Sequence, residues 1–389
     1  MVLTNSQKKA INTFNSGNNI LLLGDPGTGK STLISEMVKK AEEKDLVVAR
    51  TASTGIAAQL IGGHTIHSLL KAYPRMDTAN IDYDAKTVKL KDVDVLIIDE
   101  ISMIGSAFVE YLYECLRYVE RPIQLIMVGD FFQLRPVKDR YAFESLYWDR
   151  LNLTPCMLTE VIRQKDKEFI ENINLLKYGD ARCLDYLLTH SSKEELEGEI
   201  SICAKREDAE SINGRMLEKL SGKPGIFAAN YEGKVSFSDL QIEEYLLVKK
   251  DMRVMSIING DGFSNGSMGK VIDFDEESVE VMFDSGVNVR FERTRFQVER
   301  KDIIGVTTEL FQIPLRPAYA ITIHKSQGQT FKNVNIDGTK CWAEGQLYVA
   351  VSRACSIEGI HFLTPISKTN IKTDPAVVNF YKNLVDLSG

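Results

Sequence analysis

The stretch Gly24-Asp25-Pro26-Gly27-Thr28-Gly29-Lys30-Ser31 decides the fold, because it fits the phosphate-loop pattern of Gly, four residues, Gly, Lys and Ser. The apolar run Ile20-Leu21-Leu22-Leu23 stands before it and predicts a buried parallel strand. Apolar residues recur at helical spacing after it, from Thr32 to Glu43. A strand, a glycine-rich turn and a helix in this order are the context in which the pattern binds phosphate.

The residue types of this loop suit the phosphates of ATP. Glycines permit positive φ and let backbone N–H groups close around the β-phosphate, and the helix N-terminus adds its positive dipole end. We expect Lys30 to reach the β- and γ-phosphates and Ser31 to hold Mg²⁺ through its hydroxyl. The simpler alternative is a glycine turn that binds nothing. Under the phosphate-loop hypothesis the nucleotide contacts are Gly24, Asp25, Pro26, Gly27, Thr28, Gly29, Lys30, Ser31 and Thr32.

The composition is that of an ordinary globular protein with no membrane anchor. The 389 residues suggest two to three domains, and no apolar run is long enough to cross a bilayer. The N-terminus lacks the apolar core of a secretion signal, and the six scattered cysteines lack metal-ligand spacing. We therefore expect a cytoplasmic protein, nucleoid-associated if bacterial, with reduced thiols and no zinc site. The net charge of −7 argues against a general polyanion binder but leaves room for a local basic channel.

A second apolar run, from Val93 to Ile98, ends in two adjacent carboxylates. Asp99 is placed to hold Mg²⁺ through water, and Glu100 is placed as the base that orients the attacking water. The alternative is a pair of solvated acids at a strand end. Together with the phosphate loop, this pair is far more specific than either motif alone.

Four further polar residues are candidates for contacting the nucleotide. Gln133 follows a predicted strand and is either a γ-phosphate sensor or a loop-capping amide. Arg163 is either an arginine finger in cis or an exposed helical residue, and Arg353, near the end of a predicted helix, is a second candidate finger. Gln7, ahead of the first strand, is either a bidentate partner of the adenine edge or a surface residue.

Polar turns after other strands are candidate contacts to a nucleic-acid backbone. Ser53 and Thr54 open a helix, where hydroxyls bind phosphate or simply cap the helix. His64 and His67 are three residues apart, but no third ligand is near, which argues against a metal pair. A charged segment, Tyr73 to Asp92, predicts a small insertion or hairpin.

The second half of the chain contains a β-rich insertion and another oxyanion loop. Short alternating strands with glycine turns from Tyr245 to Arg300 predict a small β-barrel. A buried strand resumes at Ala318, and the loop His324 to Thr330 combines basic, hydroxyl, amide and glycine groups that suit oxyanions. The chain therefore reads as an α/β protein with parallel sheets and two insertions.

Taken together, these segments resemble DNA helicases of superfamily one, subgroup B, and above all the petite-integration-frequency (PIF) family. The resemblance runs from Thr4 to about Phe362. Its motifs stand in the order of the family: Gln7, the phosphate loop, Thr51–Ala58, Thr65–Ser68, Asp99-Glu100, Gly129–Val137, Leu158–Lys165, Ile323–Phe331 and Tyr348–Ala354.

The resemblance implies two RecA-like motor domains with ATP in the cleft between them, and Arg353 offered by the second. The expected first domain is 1–165 with a wedge insertion at about 68–92, and the second is 166–389 with the barrel at about 245–304. Gln327 and Gly328 would also contact nucleotide. Ser53, Thr54, His64, Thr65, His67, His324, Lys325 and Ser326 would lie along single-stranded DNA.

The implied function is an ATP-dependent, Mg²⁺-requiring DNA helicase that translocates 5′→3′ and unwinds forked duplex, with G-quadruplex and RNA–DNA as further candidate substrates. Roles in DNA repair, recombination and telomere maintenance belong to the same implication. We expect a monomer, with a dimer on DNA left open. Two alternatives remain: a phosphate-loop ATPase that remodels protein partners without nucleic acid, and a translocase that cannot separate strands.

Overall fold

The computed structural model describes residues 3–54, 57–58, 61–70, 90–136, 138–162, 164, 166–197, 199–237, 240, 242–300, 302 and 307–386. The chain divides into two compact units. Unit 1 comprises Met1–Thr189, Trp342–Ser356 and Ser367–Gly389, and unit 2 comprises His190–Cys341 and Ile357–Ile366. The expected wedge falls largely on residues 71–89, which lie outside the described residues.

Unit 1 is built on a six-stranded parallel sheet. Its strands are β1 (Ile20–Gly24), β2 (Val48–Ala52), β3 (His64–Thr65), β4 (Val95–Asp99), β5 (Gln124–Gly129) and β6 (Thr154–Leu158). Their order is β3-β2-β4-β5-β1-β6, and every neighbouring pair is parallel. All residues of β1 and β4 are buried, as expected for strands covered on both faces. The parallel arrangement brings the carboxyl ends of β1, β2, β4 and β5 to one edge of the sheet.

The helices around the phosphate loop have the one-sided burial that the sequence indicated, as in Asn5–Asn15 and Lys30–Glu42. The helix bounds are α1 (Asn5–Asn15), α2 (Lys30–Glu42), α3 (Ile66–Leu69), α4 (Ser106–Arg117), α5 (Lys167–Lys177), α6 (Cys183–His190), α7 (Arg206–Lys219), α8 (Gln346–Val351) and α9 (Pro375–Asp386). Phe14 of α1 and Met37 of α2 join Leu22 of β1 in one apolar core. Burial of these side chains fixes α2, and with it the phosphate loop, against the sheet.

The end of the chain belongs to unit 1, whereas the sequence led us to expect it in a second domain beginning at residue 166. Phe380 of α9 stacks on Phe143 with ring centroids 4.2 Å apart and meets Phe131 edge-on at 5.3 Å. Buried aromatic rings carry a large apolar area, so this cluster ties α9 to the loop after β5. The pairing of rings so distant in sequence left no local signal.

Unit 2 combines a parallel sheet with antiparallel strands. The parallel strands are β7 (Ser201–Cys203), β18 (Ala320–Thr322), β19 (Val334–Asp337) and β20 (Ile360–Thr364), in the order β18-β7-β19-β20. Between β7 and β18 lie β8 (Gly225–Ala228), β9 (Asn230–Tyr231), β10 (Tyr245–Val248), β11 (Arg253–Ser256), β12 (Met268–Phe274), β13 (Ser278–Phe283), β14 (Asn288–Glu292), β15 (Thr294–Glu299), β16 (Thr307–Gln312) and β17 (Leu315–Pro317).

The β-rich insertion is longer than the sequence indicated. Its ladders are antiparallel and form sheets of two, five and three strands. It extends from Gly225 to Pro317, beyond the expected 245–304 on both sides. Of the four strands outside the expected range, β8, β9 and β17 have four residues or fewer, and short strands give little periodicity for a sequence to reveal. No described helix combines the length and apolar content that crossing a bilayer requires.

Candidate active site

The phosphate loop has the shape that its glycines allow. Gly27 and Gly29 both have φ of +84°, and Gly29 precedes the first residue of α2. A Cβ on Gly24 would lie 2.6 Å from the Thr28 hydroxyl oxygen and 2.9 Å from Leu158 Cβ. Side chains at these positions would strain or crowd the loop, so glycine is required for its backbone to stay open toward a phosphate.

Polar contacts of the loop's own residues hold it in this shape. The Lys30 ammonium donates to the Gly24 carbonyl oxygen at 2.6 Å and to that of Asp25 at 3.2 Å. The Thr28 hydroxyl also donates to the Asp25 carbonyl oxygen, at 2.8 Å. Lys30 therefore lies at the first turn of the loop, where its charge is available to an anion cradled there.

Gln7 is used by the protein itself. Its Nε2 donates to the Thr28 carbonyl oxygen at 3.2 Å, and its Oε1 accepts from the Thr4 backbone N–H at 3.1 Å. The side chain is buried and braces the phosphate loop from α1. Among the expected roles, an exposed residue is excluded, while contact with adenine stays a prediction.

Asp99 and Glu100 lie at the edge of the sheet where the loop opens. Asp99 ends β4, and Glu100 follows with φ of +53°, a left-handed conformation that is uncommon for a residue with a side chain. Burial, followed by the charge of Glu100, raises the pKa of Asp99 to about 7. Burial also raises the pKa of Glu100, while the charges of Lys30 and Arg353 oppose that rise. The two cations and Glu100 therefore interact in one electrostatic site.

Gln133 sits in a buried polar cluster beside this site. Its Nε2 lies 3.4 Å from Asp130 Oδ2, which also accepts from the Tyr348 hydroxyl at 2.9 Å. Gln133 Oε1 and Glu100 Oε2 are buried acceptors with no donor from the protein. Buried polar atoms normally have partners, so two such acceptors beside Lys30 suit a polar reactant. A merely loop-capping Gln133 would leave its carbonyl oxygen unexplained.

Arg353 lies in the segment Trp342–Ser356, which groups with unit 1, and its supply by the second motor domain stays a prediction. It follows α8, and its guanidinium donates through Nε to the Val349 carbonyl oxygen at 3.0 Å and through Nη2 to Ser352 Oγ at 3.0 Å. Gln164 Nε2 donates to the Ala354 carbonyl oxygen at 3.0 Å. These contacts fix the segment after α8 within unit 1, with Arg353 only 2% exposed. The other expected finger, Arg163, lies outside the described residues.

The site suits a Mg²⁺ ion that takes most of its ligands from elsewhere. Asp99 supplies a carboxylate, and Ser31, in the first turn of α2, supplies a hydroxyl. Among the described residues, no group of three or more His, Cys, Asp or Glu side chains could hold a metal unaided. Mg²⁺ commonly binds one or two protein groups and fills its octahedron with water and phosphate oxygens, so this donor set fits it.

The expected nucleic-acid contacts of unit 1 follow β2 and β3. The Ser53 N–H donates to the Asp99 carbonyl oxygen at 3.1 Å. Thr54 and Thr65 use their hydroxyl oxygens as caps, accepting from Ala57 N at 3.2 Å and from Ser68 N at 3.1 Å. Thus for Thr54 the capping alternative is observed, and a phosphate contact would be additional to it.

The two histidines of this region differ in environment. His64 is exposed on β3, where it is available to a ligand. The His67 ring packs on Phe108 with centroids 4.6 Å apart, and burial lowers its pKa to about 4. A neutral, packed imidazole contributes less to phosphate binding than a charged one. His67 is therefore the weaker of the two candidates.

In unit 2 the expected strand contacts form one short turn after β18. His324, Lys325 and Ser326 form a 3₁₀ turn, in which His324 is exposed and Ser326 is buried. Burial, followed by the charge of Arg316, lowers the pKa of Lys325 to about 8. Arg316 was not recognised from the sequence; it is 4% exposed, and its Nε and Nη1 have no hydrogen-bond partner.

The expected nucleotide contacts of unit 2 lie just beyond this turn. Gln327 is buried, and both polar atoms of its amide lack a hydrogen-bond partner. Gly328 has φ of +75°. The loop thus contains a buried amide without a hydrogen-bond partner and a glycine in the left-handed conformation, while its ligand stays a prediction.

Sequence reasoning also missed three residues of the site in unit 1. They are Lys177, which pairs with Asp25 at 2.7 Å, and Tyr348 and Tyr381, whose hydroxyls lie 2.9 and 3.4 Å from the Asp130 carboxylate. Lys177 ends α5, where a basic residue is typical of any helix. In the sequence, the only indication of this cluster was the acidic residue Asp130, three residues before Gln133.

Comparisons with known proteins place this geometry in a family. Residues 2–197 match the family model of the AAA domain, and residues 317–356 match that of the UvrD-like helicase C-terminal domain. The chain is 31% identical to the ATP-dependent DNA helicase Pif1 of Bdellovibrio bacteriovorus, covering 99% of this chain and 93% of that protein. It is 33% identical to ATP-dependent DNA helicase PIF1 of Xenopus laevis over 98% of its own length, and it spans 64% of that longer protein.

Solved structures agree with these sequence relatives. The crystal structure of the Pif1 helicase from Candida albicans matches with a TM-score of 0.83 at 31% identity, covering 99% of this chain and 100% of that one. The Pif1 helicase from Bacteroides, in complex with ADP-AlF3 and ssDNA, matches with a TM-score of 0.76 at 29% identity, covering 99% and 98%. These matches confirm the resemblance and the α/β, RecA-like fold class. The chain therefore belongs to the Pif1 family of ATP-dependent DNA helicases.

Proposed function

We propose that this chain hydrolyses ATP to translocate 5′→3′ on single-stranded DNA and to unwind forked duplex. The observation that carries the proposal is the donor-free buried Glu100 Oε2, on which the charges of Lys30 and Arg353 act, together with the donor-free Gln133 Oε1 in the neighbouring Asp130 cluster. Acceptors and cations of this kind are what in-line attack of water on a γ-phosphate requires. The solved Bacteroides relative with ADP-AlF3 and ssDNA supports the choice of substrates.

Each residue then has a defined task in hydrolysis. Glu100 accepts a proton from the attacking water, and Gln133 orients that water through its Oε1. Lys30 and Arg353 stabilise the negative charge that builds on the phosphate oxygens. Mg²⁺ held by Ser31 and Asp99 would neutralise further charge on those oxygens. Burial favours the protonated form of Glu100, which cannot act as a base. The charges of Lys30 and Arg353 oppose this effect and favour the ionised form.

Movement along DNA uses the strand-contact candidates of both units. Unit 1 offers Ser53, Thr54, His64 and Thr65, and unit 2 offers Lys325 in its turn after β18. Contacts of this type go to backbone phosphates, so affinity is expected to be insensitive to sequence and to fall with salt. Alternate gripping by the two units would advance the protein. We propose a monomer as the active form, and a dimer on DNA would appear as concentration-dependent unwinding.

A tailed-duplex assay tests this function directly. Unwinding is measured for a duplex with a 5′ tail and for the same duplex with a 3′ tail, with ATP and Mg²⁺. We expect unwinding of the 5′-tailed substrate alone, and unwinding of the 3′-tailed substrate alone would refute the direction. ATPase rates with and without oligo-dT complete the test, because a rate independent of DNA would favour an ATPase that remodels proteins. DNA-stimulated ATPase without unwinding would instead favour a translocase that cannot separate strands.

A further inference from the structure

A buried ion pair underlies the phosphate loop and takes no part in the chemistry described above. Lys177, the last residue of α5, has a side chain that is 9% exposed, and its Nζ lies 2.7 and 3.0 Å from the two carboxylate oxygens of Asp25. The same ammonium lies 5.0 Å from the ring centroid of Phe132 and 5.1 Å from that of Tyr178. The pair is therefore fixed by a bidentate contact and by two rings.

The position of Asp25 makes this pair more than a tie between two elements. Asp25 is the second residue of the phosphate loop, and its carbonyl oxygen accepts from both Lys30 and Thr28. Its side chain nevertheless brings a negative charge into a loop whose ligand is a polyanion. A like charge so close to a phosphate opposes binding unless a cation neutralises it.

Lys177 is the cation that is placed to do so. Burial would lower the pKa of Lys177, but the charges of Asp25 and Asp130 outweigh it and raise the pKa, so the side chain stays protonated. Asp130 in turn accepts hydrogen bonds from the Phe132 N–H and from the Tyr348 hydroxyl. The Lys177 ammonium thus contacts the Asp25 carboxylate in the phosphate loop and also feels the charge of Asp130 in the loop that carries Gln133.

We propose that Lys177 is a positioning residue for nucleotide binding, which neutralises Asp25 and holds its carboxylate away from the phosphates. The inference rests on the proposed ATPase function and deepens it. Its chemical consequence is specific: loss of Lys177 harms binding because Asp25 is still charged. Removing that charge as well relieves the harm. A direct contact between Lys177 and phosphate predicts no such relief.

The test is a double-mutant cycle in the full chain. The variants are Lys177→Met, Asp25→Asn and the two combined, with Lys40→Met as a matched control, because Lys40 pairs with Glu36 in an exposed i, i+4 contact. KM and kcat for ATP and the Kd of a fluorescent ADP analogue are measured with Mg²⁺. We expect Lys177→Met to raise KM and Kd by about 10- to 100-fold with little change in kcat, and the double variant to recover to within about fivefold of wild type. The Lys40→Met control is expected to stay within about threefold of wild type, and Asp25→Asn is measured as the fourth corner of the cycle.

Folding is checked separately, because breaking a buried ion pair from one side can destabilise the protein. Thermal unfolding of each variant is recorded first, and Lys177→Arg, which keeps the charge, is expected to retain the wild-type Kd. If Lys177→Met does not fold, the double variant and Lys177→Arg decide the matter. Three results would overturn this inference without affecting the proposed function. The double variant could bind nucleotide as weakly as Lys177→Met, the effects of the two substitutions on Kd could be additive, or Lys177→Met could bind like wild type. A wild-type chain that binds no ATP overturns the proposed function as well as the inference.

Discussion

The turn after β18 predicts an unusual pH dependence of DNA binding. Lys325 has a pKa lowered to about 8 by its burial and by the nearby charge of Arg316. About nine-tenths of such a side chain is charged at pH 7 and about one-tenth at pH 9. A lysine binds a phosphate only as the cation, so raising the pH removes the contact before DNA can form it.

The size of the effect follows from this fraction. If the bound phosphate restores an ordinary lysine pKa, affinity for single-stranded DNA falls about tenfold between pH 7 and pH 9, or about 1.4 kcal/mol. A lysine of ordinary pKa would lose only a few per cent of its charge over this range. The matched control is Lys325→Arg, because arginine keeps its charge throughout.

Fluorescence anisotropy with labelled oligo-dT at fixed ionic strength and without nucleotide is the assay. We expect the affinity of the wild type to fall as pH rises and that of Lys325→Arg to stay constant. The salt dependence supplies a second measure, since losing one phosphate contact reduces the magnitude of the slope of log K against log salt by about 0.7 for single strands. A wild-type affinity that changes by less than about twofold, or an equally steep fall in Lys325→Arg, would refute the reasoning.

Four further predictions concern unit 1. Glu100→Gln should bind ATP normally and lose at least about 100-fold in single-turnover hydrolysis, and wild-type turnover would remove Glu100 from its role as base. Arg353→Ala should lose about 10³-fold or more in kcat with its circular dichroism intact, and a loss of tenfold or less would argue against a finger. His67, with its pKa lowered to about 4, stays neutral in the folded protein, whereas it becomes protonated below about pH 6.5 in the unfolded chain. The free energy of unfolding therefore decreases as the pH is lowered through this range. Between pH 7.5 and pH 5, His67→Phe should lose about 2 kcal/mol less unfolding free energy than wild type, as measured by urea denaturation at both pH values. The same loss in both proteins would contradict this. Tyr348→Phe removes a donor to the buried Asp130 carboxylate and should cost about 1.5–3 kcal/mol of unfolding free energy, whereas an unchanged urea midpoint would show that the hydroxyl is dispensable.

Features encoded by neighbouring residues were predictable from the sequence. Gly24 to Ser31 and the Asp99-Glu100 pair each need only a strand, a turn and a few side chains, all contiguous in the chain. The parallel sheet of unit 1 followed from apolar runs such as Ile20–Leu23, because strands buried on both faces have no polar alternation. Local propensity, burial pattern and turn chemistry agreed at these places, and such agreement makes a sequence readable.

The rest depended on pairings between distant residues. Lys177 and Asp25 are separated by 152 positions, and Tyr381 and Asp130 by 251. The sequence around Lys177 does not reveal its partner, because a lysine in the last turn of a helix is common. The contacts of Arg353 were hidden for the same reason: the helix before it was recognisable, but the sequence could not show which residues this segment packs against.

Contacts within unit 1 link the residues that the proposed function assigns to hydrolysis with those that it assigns to DNA binding. Asp130 joins Gln133 to α8. Its carboxylate lies near the Gln133 amide and accepts a hydrogen bond from the Tyr348 hydroxyl of α8. On the proposed function, a shift of Gln133 on loss of the γ-phosphate would therefore act on α8 and Arg353 through the buried Asp130 carboxylate, where an unmade hydrogen bond is costly. On the other side of the site, Asp99 accepts through its carbonyl oxygen from the Ser53 N–H, next to the register pair Ala52 and Asp99. In the proposed function, one backbone hydrogen bond thus separates the metal-binding carboxylate from the first strand-contact residue of unit 1. A packed core responds to such a shift as a unit rather than by gradual deformation, so on the proposed function we expect the state of the nucleotide and the grip of unit 1 on DNA to change together.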